Sequence, residues 1–215
     1  MRAAPSVLGI LGGTFDPIHF GHLRIALELA EATKIERVHL IPTYQPAHRH
    51  APKASPEARF TMLANSVADN PLFVADRREI DRQDESYTID TLHDLTKQFP
   101  KTTLCVFLGL DAFLGFHEWK NYSEILKLAH LVIAKRPNFS LPEKGIVCDL
   151  MKSHKQENIN YIQQHKSGGI FIIPTAELHI SASEIRKQIA MGRNPRYLLP
   201  DKAYHYLQLN GTYHK

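Results

Sequence analysis

Apolar residues along this chain gather in short runs separated by stretches with a helical period. The runs are Val7 to Leu11, Val38 to Ile41, Leu72 to Ala75, Leu104 to Leu108, Leu131 to Ala134 and Ile170 to Ile173. Short, nearly continuous apolar runs predict strands buried on both faces. Between them, Phe60, Leu63, Ala64 and Val67 recur at spacings of three and four, the stripe of a helix that packs one face on a core. Pro56 suits the first turn of that helix. A second helix is expected after Thr88, with Ile89, Leu92, Leu95, Thr96 and Phe99 facing inward, Ser86 or Thr88 as its cap and Pro100 ending it.

Strands that alternate with helices pair in parallel through right-handed crossovers. The expected fold is therefore α/β: a Rossmann-like open, mainly parallel sheet with helices on both faces. At 215 residues, with no shift of composition along the chain, residues 1–215 are expected to form a single domain. The polar stretch from Pro137 to Ser167 carries no clear strand and is expected to hold insertions and loops.

Composition narrows the class. Hydrophobic residues make up 43% and charged residues 22%, ordinary for a soluble globular protein, and no apolar run approaches a membrane span. Glycines interrupt the N-terminal apolar stretch before a signal-peptide core would be complete, so export is not expected. Cys105 and Cys148 lie far apart without a C-x-x-C spacing, which argues against a disulfide framework or thiolate metal site and fits the cytoplasm. A net charge of +4 and a pI near 9.0 suit polyanionic ligands or simply a mildly basic surface. With no RNP-like aromatic motif and no dense lysine or arginine tract, nucleic acid is not the expected partner.

The candidate chemistry begins where the first strand runs into GGTFDPIHFGH, Gly12 to His22, after which Leu23, Ala26, Leu27 and Ala30 carry a helix period. The motif is thus a strand-to-helix turn, where ligands of doubly wound sheets bind and helix N–H groups meet anions. Gly12 and Gly13 let a phosphate approach the backbone, and Thr14 adds a hydroxyl. The motif matches neither G-x-G-x-x-G nor the P-loop. His19 and His22, three residues apart, present both imidazoles on one side, with Gly21 keeping that surface open. Phosphate binding ranks ahead of a structural role, and a metal pair comes last because no third ligand is near.

Near the other end, ISASEIRKQIAMG places Ser181 or Ser183 as a helix cap, Ile185 and Ile189 on one face and Gly192 at the C′ position. Arg186 in its first turn can hold phosphates, although a well-capped surface helix accounts for the segment taken alone.

Together these segments resemble the nucleotidylyltransferases with the T/H-x-G-H signature, and among them the bacterial nicotinate-nucleotide adenylyltransferases. GGTFDPIHFGH resembles the signature itself, and Ile180, Ser181, Ser183, Ile185 and Arg186 are similar to the I-S-x-[ST]-x-I-R element. IPTYQPAHR, SYTIDTL, FLGLDAF, HEW and AKRP also have counterparts in that family. The resemblance implies transfer of the adenylyl group of ATP to nicotinate mononucleotide, with Mg2+ accompanying the ATP and no dedicated protein metal site. It implies that His19 and His22 are catalytic, and that ATP is bound by Gly12, Gly13, Thr14, Phe15, Gly21, His22, Gly109, Asp111, Ile180, Ser181, Ser183 and Arg186.

On the acceptor side it implies His48, Arg49 and Arg136 as phosphate contacts, Trp119 as the face on which the nicotinate ring stacks, and backbone N–H groups near Tyr87 and Thr88 for its carboxylate. Two departures fall in that region: Ala47 follows Pro46 where many relatives have two prolines, and Lys120 stands where an aromatic is common. Competing readings are an adenylyltransferase for nicotinamide mononucleotide or phosphopantetheine, and a nucleotide-binding protein without turnover.

Overall fold

A computed structural model of the chain describes residues 6–46, 51–135 and 142–214. The first third runs β1 (Val7–Gly13), α1 (Phe20–Thr33), β2 (Val38–Pro42), β3 (Gln45–Pro46), α2 (Pro56–Val67), β4 (Phe73–Ala75) and α3 (Arg78–Arg82). The chain continues through β5 (Glu85–Ser86), α4 (Thr88–Gln98), β6 (Thr103–Gly109), α5 (Leu110–Leu114), a 3-10 turn at Phe116–Glu118, α6 (Tyr122–Leu128) and β7 (Ala129–Lys135). It ends with α7 (Ile146–His154), α8 (Tyr161–Gln164), β8 (Ile170–Pro174), α9 (Ala182–Ala190) and α10 (Asp201–Asn210).

The six apolar runs of the sequence form one six-stranded sheet in the order β4-β2-β1-β6-β7-β8, with helices around it. The fold is the expected α/β, Rossmann-like one. β1 lies inside the sheet because the chain first builds outward to β2 and β4 and then returns to add β6, β7 and β8 on its other side. Such a reversal of strand order is where doubly wound sheets bind ligands, at the carboxyl ends of the strands.

By its contacts the chain falls into two compact units, residues 1–11, 25–38 and 87–176, and residues 12–24, 39–86 and 177–215. In the first unit β1, β6, β7 and β8 pair in parallel, with Val7 opposite Thr103, Leu104 opposite Ala129 and Leu131 opposite Ile170. Leu8, Leu104, Leu131, Val132, Ile133 and Ile170 are at most 1% exposed, which explains why these strands read as unbroken apolar runs. Burying each such side chain stabilises the fold by about 1.5–3 kcal/mol. His130 is the polar exception in β7: it donates from Nε2 to the His165 carbonyl at 2.9 Å and accepts the Gly169 N–H on Nδ1 at 2.9 Å.

In the second unit α2 begins as the sequence predicts, with Pro56 in the first turn and Ser55 accepting the Ala58 N–H at 3.2 Å. Met62, Leu63 and Val67 form its buried stripe, while Phe60 and Ala64 of the expected stripe are only half-buried, and α10 packs against the helix. β3 and β5, two residues each, form a separate parallel pair that no apolar run announced.

Three further expectations change. The N-cap of α4 is Tyr87, with no side-chain capping bond, because the Ser86 hydroxyl accepts the Tyr44 N–H at 2.9 Å instead. The inner face of α4 is Ile89, Thr91, Leu92 and Leu95, while Thr96 and Phe99 are only half-buried. Of the polar stretch, residues 137–141 lie outside the described residues, and the remainder holds more regular structure than its composition suggests. Residues 142–167 contain α7 and α8, anchored by buried Val147, Met151 and Ile162.

Candidate functional site

Strand β1 ends on Gly12 and Gly13, and the Gly13 carbonyl accepts the Thr43 N–H at 3.0 Å. Gly12 is exposed, and a Cβ built on it would meet nothing within 4 Å, so a ligand has room to reach this backbone. The loop then turns through Phe15, whose φ of 48° is left-handed. That conformation is costly for a bulky residue and persists only where surroundings enforce it, commonly at functional loops. The Phe15 ring is 1% exposed and packs edge-on to His22 with centroids 5.0 Å apart. Its side chain is thus part of the core, and only its backbone lies on the loop.

His19 is the residue before α1, and its carbonyl accepts the N–H groups of His22 at 3.0 Å and Leu23 at 3.3 Å. The His19 N–H in turn donates to Nδ1 of His22 at 3.3 Å. A ring nitrogen that accepts carries no proton, so in neutral His22 the proton sits on Nε2 and can be donated to an anion. The two imidazoles stack with centroids 3.7 Å apart and planes within 23°. Gly21 makes this possible: a Cβ there would approach His19 Nδ1 to 2.9 Å and the Ile180 carbonyl to 3.4 Å.

The second motif meets the first. Ser181 caps α9 by accepting the Glu184 N–H at 3.2 Å, and its hydroxyl lies 3.2 Å from that of Ser183. Gly192, with φ of 70°, closes the helix as expected: its N–H reaches Ile189 and the Arg193 N–H reaches Gln188, both at 2.9 Å. From α9 the Arg186 guanidinium donates to the backbone carbonyl of Asp16 at 2.6 Å and lies 3.5 Å from its carboxylate. The carbonyl is the principal contact. Ser181, Ser183 and Arg186 thus stand in the same unit as Gly12 to His22.

Beneath the loop lies a polar network that the sequence did not single out. The Asp16 carboxylate, 4% exposed, accepts the N–H groups of Lys53 at 2.8 Å and Ala54 at 3.0 Å, and the Tyr213 hydroxyl at 2.6 Å. Arg59, fully buried, donates to the carbonyls of Thr14 at 2.7 Å, Tyr44 at 3.1 Å and Ala54 at 3.3 Å. Burial lowers the Arg59 pKa, with the Asp16 charge opposing the shift. Burial, followed by the bond to Asp16, pushes the Tyr213 phenol up, so it remains a donor at any working pH. Arg59 carried a readable signal, a cation on the apolar stripe with Met62 and Leu63. Asp16 was hidden inside the motif, and nothing in the sequence marked Tyr213.

The other unit holds Tyr87, Thr88 and Trp119, expected on the acceptor side, together with Gly109 and Asp111. Tyr87 and Thr88 stand at the start of α4. Lys120 Nζ lies 4.2 Å from the centroid of the Tyr87 ring and 3.3 Å from the Asp90 carboxylate, so the departure from an aromatic places a cation on this helix start. Trp119 is half-buried against Phe116, 5.6 Å between centroids, and is therefore not a core residue. Gly109 ends β6, and a Cβ there would come within 2.5 Å of the Asp111 carboxylate, which folds back over that backbone. His48, Arg49 and Arg136 lie outside the described residues. Among the described residues no cluster of three or more His, Cys, Asp or Glu side chains could hold a metal ion.

Comparison with known proteins places this geometry. Residues 10–188, spanning both motifs, match the cytidylyltransferase-like family model. A protein of Aeromonas hydrophila named probable nicotinate-nucleotide adenylyltransferase is 40% identical over 206 residues, 96% of each chain. One of Cellvibrio japonicus with the same name is 41% identical over 201 residues, 93% of this chain and 95% of its own. Among solved structures, a Plasmodium falciparum nicotinic acid mononucleotide adenylyltransferase complexed with NaAD superposes with a TM-score of 0.72 at 17% identity, covering 97% of both chains. A putative nicotinate-nucleotide adenylyltransferase from Vibrio parahaemolyticus gives 0.64 at 14% identity, covering 98% of this chain and 96% of its own. These two likenesses concern the fold, whereas the family model and the full-length identities concern ancestry. The chain belongs to the cytidylyltransferase-like family and, within it, to the nicotinate-nucleotide adenylyltransferases.

Proposed function

We propose that this chain transfers the adenylyl group of ATP to nicotinate mononucleotide, giving nicotinate adenine dinucleotide and pyrophosphate in NAD biosynthesis, with residues 1–215 acting as one cytoplasmic nucleotidyltransferase domain. The observation that carries the reading is the 2.6 Å bond from Arg186 to Asp16, which joins two motifs from opposite ends of the sequence into one cationic, donor-rich loop. The names of the full-length relatives supply the acceptor.

The phosphate of nicotinate mononucleotide attacks the α-phosphorus of ATP as the bond to pyrophosphate breaks. A phosphate monoester has a second pKa of about 6, so the nucleophile is already ionised and needs no general base. The protein's work is to align two anions and stabilise charge on the departing pyrophosphate. His22 does this by donating from Nε2, His19 holds the His22 tautomer through its backbone N–H, and Arg186 adds a cation. Gly12 and Gly13 admit the phosphates to the backbone. Trp119 offers a face to the pyridine ring, and the start of α4 offers N–H groups to its carboxylate.

Mg2+ would enter as a companion of ATP, held by phosphate oxygens and water in place of a dedicated protein site, and would neutralise phosphate charge there.

The test is to supply purified protein with ATP and, separately, nicotinate mononucleotide, nicotinamide mononucleotide or phosphopantetheine, and to follow pyrophosphate. Turnover highest with the nicotinate acceptor is expected. Preference for either other acceptor would replace this reading, and absence of pyrophosphate with all three would end it.

A further inference from the structure

The Asp16 carboxylate is the point at which separate parts of the second unit converge on the histidine loop. Its Oδ1 accepts the Ala54 N–H and the Tyr213 hydroxyl, and its Oδ2 accepts the Lys53 N–H with Arg186 nearby at 3.5 Å. Arg186 then takes the carbonyl of the same residue. Asp16 therefore holds the Arg186 guanidinium at two points, principally its carbonyl at 2.6 Å and more loosely its carboxylate at 3.5 Å.

Tyr213 reaches this position from the end of the chain. α10 packs on α2, the helix that carries Arg59, Gly211 turns the chain with φ of 58°, and Tyr213 itself adopts φ of 70°. A left-handed non-glycine residue is held there by its surroundings. The bond that rewards it, 2.6 Å from a hydroxyl to a carboxylate, is short and charge-assisted.

The electrostatics give the bond a purpose beyond fastening the tail. A buried carboxylate beneath a polyphosphate site repels the ligand unless its charge is engaged. Two cations, Arg59 and Arg186, stand against the one anion, and Tyr213 and two backbone N–H groups supply further donors to it. Removing the hydroxyl leaves Asp16 to draw more of Arg186 onto its own carboxylate and away from an incoming phosphate.

We propose that Tyr213 is a positioning residue for ATP: acting through Asp16, it keeps Arg186 and the loop from Gly12 to His22 in the arrangement that receives the polyphosphate. The proposal rests on the donor-side reading above.

The experiment is a thermodynamic cycle on the full chain, with ATP binding followed by calorimetry for wild type, Tyr213→Phe, Asp16→Asn and the double variant. Tyr213→Phe is expected to weaken ATP binding about tenfold, the scale of one charge-assisted hydrogen bond. Its KM for nicotinate mononucleotide should stay within about twofold of wild type, and the double variant should lose no more affinity than Asp16→Asn alone. Tyr197→Phe, on an exposed tyrosine outside the network, should bind ATP as wild type does. Wild-type ATP affinity in Tyr213→Phe, an equal rise in KM for both substrates, or multiplicative losses in the double variant would each overturn the proposal. Because calorimetry needs no turnover, failure of the acceptor assay would strike the functional reading without touching this result.

Discussion

The imidazoles of His19 and His22 stack at 3.7 Å, and the backbone of the first fixes the tautomer of the second. His19 is 5% exposed, and its backbone N–H on Nδ1 of His22 leaves the proton of neutral His22 on Nε2, the atom that the proposed mechanism uses.

Replacing His22 by alanine removes a donor that acts on charge developing in the transition state. kcat should fall by about 10²–10³, with the KM for nicotinate mononucleotide little changed. Steady-state kinetics with both substrates varied reads this directly, and near-normal turnover would remove His22 from the mechanism.

Trp119 should show the opposite pattern. Its indole is half-buried, so alanine leaves the fold intact while removing a stacking face worth about 1–3 kcal/mol. The expected outcome is a KM for nicotinate mononucleotide raised roughly 5- to 150-fold, with ATP affinity unchanged, as measured by separate titrations.

Arg59 tests the floor of the loop. Arg59→Leu strands the carbonyls of Thr14, Tyr44 and Ala54 and leaves Asp16 with one cation fewer nearby. A loss of about 3–5 kcal/mol is expected from breaking a buried charged network. Urea denaturation measures it, and a loss below about 1 kcal/mol would show that water replaces the guanidinium without penalty.

Acid should weaken the link between β2 and the segment after β4. Asp76 lies 2.7 Å from His39 Nδ1 and takes 2.7–2.8 Å contacts from Arg78. Burial works to raise its pKa, but the hydrogen bonds from His39 and Arg78 and the Arg78 charge outweigh it and lower the pKa to about 2. A carboxylate depressed in the folded state contributes stability that is present above its unfolded value near 4 and is lost as pH falls through about 2. The contribution at neutral pH is about 2 kcal/mol. Asp76→Asn should flatten the stability profile between about pH 4 and 2, a change visible in denaturation curves taken across that range.

Much of this molecule was legible in its sequence because the relevant physics is local. The strands could be read because burial on both faces demands continuous apolar runs such as Leu131 to Ala134. The helix signals at Pro56, Ser181 and Gly192 could be read because caps depend on a few neighbouring backbone groups. The histidine motif could be read as a strand-to-helix turn for the same reason. What the sequence concealed depends on distant partners. Ser86 looked like a cap until Tyr44 took its hydroxyl, and the polar stretch looked unstructured until Val147, Met151 and Ile162 found a core to bury against. Asp16, Arg59 and Tyr213 became one network only when the chain folded, because a buried charge is tolerated only where its partners converge, and no spacing along the chain records that convergence. The sequence by itself determined the kind of loop and the chemistry it can hold. The tertiary structure alone decided what aims it.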